Sequence, residues 1–217
     1  MRALPEESRS FRSLLQTVRR SLHAGPLLLA LLTATGCSLG GRSAPVRYYV
    51  LEPVAEATVA TRSNTNATTG VGPVAIPRYL DRSGIVSHRD ASELIVDDGA
   101  RWAEPLDDML ARTISENLVR LTGSSRVFAY PWARDHTFDH RVWVRIVQFE
   151  IGADGAAHLV CQWQHATGTD EPTLVRSTLT AQPRGSTAGD RVAALSETVA
   201  ALSTEIAATI AGGTTVD

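Results

Sequence analysis

The densest group of chemically competent side chains is Asp135-His136-Thr137-Phe138-Asp139-His140. Two imidazoles and two carboxylates suit a divalent ion such as zinc or manganese. A His-x₃-His pair converges on one ion only in a helix. Pro131 just upstream and the strand-like run that follows predict a loop instead, so no metal site is expected. His158, Cys161 and His165 form a second set, on one predicted strand. At period two, Cys161 and His165 share a face and His158 points the other way. Four residues along a strand separate them by ~13 Å, too far for a Cys–His nucleophilic pair. Cys161 reads as a small buried apolar residue. Asp107 and Asp108 are neighbours on a predicted helix, about 100° apart, and form no acid–base couple. Asp97-Asp98 is likewise a sequence pair, and Asp98 and Glu104 suit a helix start.

Composition removes further chemistries. All 21 basic residues are Arg, so a phosphate-loop lysine, a Schiff-base lysine and a Ser–Lys dyad are excluded. Gly-x-Ser-x-Gly, His-Glu-x-x-His and Gly-rich phosphate loops do not occur. Two cysteines exclude a disulfide scaffold and a Cys₄ zinc site. A net charge of −2 gives no reason to expect nucleic acid. The expectation is a protein with no catalytic residues and no cofactor.

One cysteine has a different chemistry written around it. Met1–Arg20 carries five Arg, the apolar run Gly25–Leu32 follows, and Ala34-Thr35-Gly36 leads to Cys37. A basic stretch, a short apolar core and small residues make a secretory signal peptide over residues 1–36. The core is well short of the ~20 residues of a permanent span. Ala34-Thr35-Gly36-Cys37 resembles the bacterial lipobox, with Ala34 where Leu is usual. That resemblance implies cleavage before Cys37 and its acylation, a stable membrane anchor. Ser38, rather than Asp, follows, which favours the periplasmic leaflet of the outer membrane.

From Cys37 onward the chain holds 16 Arg against 21 acidic residues. Residues 37–45 read as a Gly/Ser-rich tether and 46–217 as a single domain, long enough to bury a full core. Strands are expected at Val46–Leu51, Val71–Pro77 (its prolines at an edge or at strand ends), Ile85–His88, Glu93–Val96, Arg126–Tyr130, His140–Ile151, Ala156–His165 and Thr173–Ala181. In His140–Ile151, Val142, Val144, Ile146 and Gln148 face one way and Trp143, Arg145, Val147 and Phe149 the other. A helix is expected from about Arg101 to Leu121, with Pro105 in its first turn and Gly123 as terminator. A second begins at a capping Asp190 and carries Val192, Leu195, Val199, Leu202, Ile206 and Ile210 on one stripe. The fold class is α/β, an α+β sandwich with a mostly antiparallel sheet and two helices on one face.

Three stretches together resemble a known family. They are Tyr48-Tyr49-Val50-Leu51; Val71–Arg82 followed by Ile85–Arg89; and Arg101–Leu106 with Arg112 and Glu116-Asn117-Leu118. Their order and spacing are similar to the ABC-type transport auxiliary lipoproteins, the PqiC-like proteins, and Val147–Glu150 and Trp163 fit as well. His88 departs from the expected pattern, and no function is carried onto it. The resemblance implies a non-enzymatic outer-membrane lipoprotein. It would work with an inner-membrane transporter whose MCE-domain protein bridges the periplasm to move lipid. It also implies a homo-oligomer. A regulator of a cell-wall enzyme is the alternative reading, and a hydrolase or metal protein using His136 and His140 is a third.

Overall fold

The structure is a computed structural model that describes residues 45–56, 66–133 and 135–212. Its order is β1 (Arg47–Tyr49), β2 (Thr69–Ala75), β3 (Gly84–His88), β4 (Leu94–Trp102), α1 (Leu106–Thr122), β5 (Val127–Ala129), β6 (His140–Ile151), β7 (Ala157–Thr167), β8 (Thr173–Ala181) and α2 (Ala188–Gly212). The eight strands form one branched sheet. A path β1-β4-β3-β6-β2-β5 meets β7 and β8 on the far side of β6.

The sheet is mixed, which corrects the mostly antiparallel expectation. β3–β4, β6–β7 and β7–β8 are antiparallel. β1–β4, β2–β5, β2–β6 and β3–β6 are parallel. Hairpins are legible because a short turn fixes their pairing. Parallel pairs join strands far apart in the chain, and no local signal specifies them.

The first helix starts five residues later than expected, because Arg101 and Trp102 belong to β4. Asp97 Oδ1 accepts the N–H groups of Gly99 (3.0 Å) and Ala100 (3.1 Å), and the strand continues past this turn. Trp102 and Leu106 both reach the core, from different elements, and so mimic a helical spacing. Pro105 is the N-cap, with extended dihedrals and no side-chain capping bond. Glu104 therefore lies outside the helix, Asp98 lies in β4, and Asp107 and Asp108 are the first-turn acids. Gly123 ends α1 at φ +70°, a left-handed conformation that glycine adopts without a Cβ clash.

Three further corrections concern phase, capping and the place of Pro73. In β6 Val147 is an extra residue between Ile146, opposite Cys161, and Gln148, opposite Val160. This bulge reverses the alternation, so Phe149 turns inward with Ile146 rather than outward with Val147. Thr187, not Asp190, precedes α2. Its hydroxyl accepts Asp190 N–H at 3.1 Å, and Asp190 Oδ2 accepts Thr187 N–H at 3.0 Å, a reciprocal capping box. Pro73 sits at an irregularity between Val71 and Val74, in a strand flanked on both sides by β5 and β6, not at an edge.

The core lies between the sheet and one helical layer. From α1 it takes Met109, Leu110, Ile114, Leu118 and Leu121, and from α2 the whole predicted stripe from Val192 to Ile210. Val142, Val144, Ile146, Phe149, Leu159 and Trp163 meet them from β6 and β7. Each such aliphatic side chain contributes about 1.5–3 kcal/mol of burial.

Candidate functional site

Cys37, the signal peptide and the tether lie outside the described residues. The remaining sequence candidates do not converge. Among the described residues no group of three or more His, Cys, Asp or Glu is arranged to hold a metal ion. In the Asp135–His140 segment the two histidines part company. His136 is exposed and stacks its ring near Phe138 and Phe128, at centroid distances of 4.6 and 5.5 Å. His140 turns inward, its Nδ1 3.1 Å from Nε2 of His165. Asp139 is spent on the chain itself: Oδ2 accepts Thr68 N–H (2.7 Å) and Thr68 hydroxyl (2.8 Å), which hold its carboxyl below the usual range.

The β7 set falls as the period predicts. Cys161 and His165 are buried on the core face, and His158 points away to hydrogen-bond Asp154 at 2.9 Å. Burial pushes the Cys161 thiol up to about 12, with Glu205 adding to the effect, so no thiolate forms at neutral pH. His140 and His165 are both held below the ordinary histidine value, chiefly by burial. For His165 the charge of His140 adds to this.

Parts of the three stretches that carry the family resemblance meet where α1 begins, and a further contact lies along the helix. Tyr49 C=O accepts Ala103 N–H at 2.9 Å, and Ser83 C=O accepts Trp102 N–H at 2.6 Å. Leu51 N–H points at Met109 Sδ (3.1 Å), and Asn117 Oδ1 accepts Ala55 N–H at 2.9 Å. Arg112 reaches back along α1 to Glu104, with Nη2 2.6 Å and Nε 3.2 Å from one carboxylate oxygen. Its Nη1 meets Glu116 at 3.3 Å. Glu104, more than Glu116, holds the Arg112 pKa above its ordinary value. Asp81, Arg82, Ser83 and Trp102–Leu106 line an open depression of about 340 Å³ there. Its mixed charge and rigid backing suit recognition by another molecule. Of its two carboxylates, Glu104 is engaged by the Arg112 guanidinium.

Two polar networks had no signal in the sequence. Glu150, 1% exposed, meets His88 Nε2 at 2.8 Å. Ser177 accepts Trp163 Nε1–H at 2.9 Å and donates its hydroxyl to Glu205 on α2. Each joins residues from separate elements; His88, Glu150 and Trp163 stood out beforehand, but not their partnerships.

Known proteins decide the family. A model of the ABC-type transport auxiliary lipoprotein component matches residues 49–207. The chain belongs to this family. It is also 33% identical over 90 residues to the intermembrane transport lipoprotein PqiC of Escherichia coli K12 and to that of Shigella flexneri. The match covers 42% of this chain and 47% of each relative, so the chain spans about half the length of the curated relatives it matches. Two crystal structures share the fold. Protein XCC0632 from Xanthomonas campestris superposes with a TM-score of 0.63 at 20% identity, over 77% of this chain and 97% of that one. An uncharacterized protein gives 0.62 at 22% identity, over 76% and 99%. In this auxiliary lipoprotein, parts of the family motifs meet at the start of α1 in a mixed α/β domain. No helix among the described residues is long and apolar enough to cross a membrane.

Proposed function

We propose that this auxiliary lipoprotein is a non-enzymatic subunit of an ABC/MCE lipid transport system of Pqi type. Acylated on Cys37, it is held at the periplasmic leaflet of the outer membrane, where its domain docks the MCE-domain protein that bridges the periplasm. The family match over residues 49–207 carries this reading. Support comes from the α1 end of the domain, where the motif stretches build a rigid, charged surface suited to docking. A fixed anchor and a docking face are sufficient for such a role, and the proposal assigns no bond-breaking step to the chain.

Affinity purification of the tagged full-length protein from mild-detergent membranes of its host, with mass spectrometry of the copurifying chains, tests it. An MCE-domain protein enriched above a control lipoprotein is the expected result. Recovery of a peptidoglycan synthase or hydrolase in its place would overturn the transport reading and leave a regulator of a cell-wall enzyme. For the anchor, Cys37→Ser should abolish acyl labelling and release the domain from membranes.

A further inference from the structure

β1 is the edge strand next to the tether, and its outward side is apolar. It pairs with β4 alone among the described strands. From Tyr48 to Leu51 exposed and inward residues alternate, and Arg47 of β1 is exposed together with Val46 and Tyr48. Leu51 is 1% exposed and Tyr49 packs against the core, whereas Val46 is 41%, Tyr48 65% and Val50 40% exposed. The period-two pattern puts these three on one side. Tyr48 stands opposite Arg101 of β4 in the parallel register, so a guanidinium-bearing residue shares its face. An apolar stripe with a tyrosine and an arginine beside it has the composition of a membrane–water interface. There, aromatic rings sit at headgroup level and arginine meets phosphate.

The length of chain before β1 says what lies opposite. Nine residue steps separate Cys37 from Val46. Fully extended, nine residues span at most ~30 Å. An acyl chain on Cys37 therefore holds the stripe within that distance of the bilayer, whatever path the intervening residues take. Tethering over so short a length raises the effective concentration to the order of millimolar. A contact far too weak to recruit a free protein is then populated.

We propose that Val46, Tyr48 and Val50 seat on the phospholipid surface that holds the Cys37 acyl chains, so that the domain is oriented on the membrane and not merely leashed to it. This rests on the acylation of Cys37. The orientation has a consequence for docking: the depression at Asp81–Leu106 is held at a fixed attitude to the membrane plane, because Tyr49 and Ala103 join β1 to it by a backbone hydrogen bond.

The test uses the mature full-length lipoprotein in vesicles of phosphatidylethanolamine and phosphatidylglycerol containing acyl-brominated lipid, which quenches tryptophan at short range. Tyr48→Trp is compared with Leu174→Trp, on the separate edge strand β8. The fluorescence that Tyr48→Trp adds to the wild-type signal should be quenched roughly twofold or more, and that of Leu174→Trp left unchanged. Equal quenching at both positions, or none at 48, overturns the proposal. A blue-shifted but unquenched Trp at 48 also overturns it, and identifies a protein, such as a second copy, as the occupant. Intact mass and flotation report the anchor separately. An acylated, floating chain with an unquenched Trp sinks only the stripe. An unacylated chain that stays off the vesicles sinks both readings.

Discussion

His88 Nε2 lies 2.8 Å from Glu150 Oε1, and His88 Nδ1 lies 2.9 Å from the carbonyl oxygen of Asp90. A carbonyl only accepts, so Nδ1 carries a proton. Nε2 then either donates to the Glu150 carboxylate or accepts from its carboxylic acid. The contact gives a carboxyl group that is 1% exposed in the sheet a hydrogen-bond partner, and the Tyr79 side chain meets the same carboxyl. The pair also ties β3 to β6 where their ladder holds a single register pair, Ser87 with Ile151.

Removing the histidine should therefore cost more than a surface ion pair does. His88→Ala strands Glu150. Because the imidazole is partly exposed, the expected loss is about 2–3 kcal/mol, below the full buried-pair range. Glu150→Gln keeps a hydrogen bond to the imidazole and should lose less. Urea unfolding of both variants reads the difference. Equal losses would mean that the two side chains act independently.

The His140–His165 pair makes stability depend on pH with a definite sign. Both groups are held below their ordinary value of about 6.5, so the folded chain binds fewer protons than the unfolded one under mild acid. Stability should be intact above that value. It should fall as pH drops below it, toward the depressed folded values. Melting temperatures between neutrality and mild acid should decline more steeply for wild type than for His165→Gln, and identical slopes would remove the pair from the account.

Trp102 is 5% exposed, and its ring lies 6.4 Å from that of Phe149 at an interplanar angle of 30°. Trp102→Ala should cost about 3–5 kcal/mol in denaturant unfolding. An unchanged midpoint would contradict its place in the core.

Thiol counting tests the buried cysteine and the anchor together. With Cys161 fully buried and its pKa pushed up to about 12, the native acylated protein should give no reaction with a thiol reagent at mildly alkaline pH. In guanidinium it should give one equivalent. A second equivalent on unfolding would mean that Cys37 carries a free thiol.

Much of this molecule is written locally. The α2 stripe from Val192 to Ile210, the β6–β7 hairpin at Asp154-Gly155 and the αL stop at Gly123 follow from side-chain period and turn chemistry. Those are properties of residues a few positions apart. The opposite faces of His158 and Cys161 come from the same source. The proposed lipobox at Cys37 likewise rests on neighbouring residues alone and on no fold. Tertiary structure alone decided the rest. The parallel partners of β1, β2 and β3 are chosen by how helices and sheet close over a common core, so no window of sequence reports them. The Val147 bulge, which turns Phe149 inward, exists only against β7. Trp102 left the expected helix because a strand and a helix deliver side chains to one core at a spacing that mimics a single element. Glu150 found a hydrogen-bond partner in His88, 62 residues away, because a buried carboxyl takes the partner that packing brings to it.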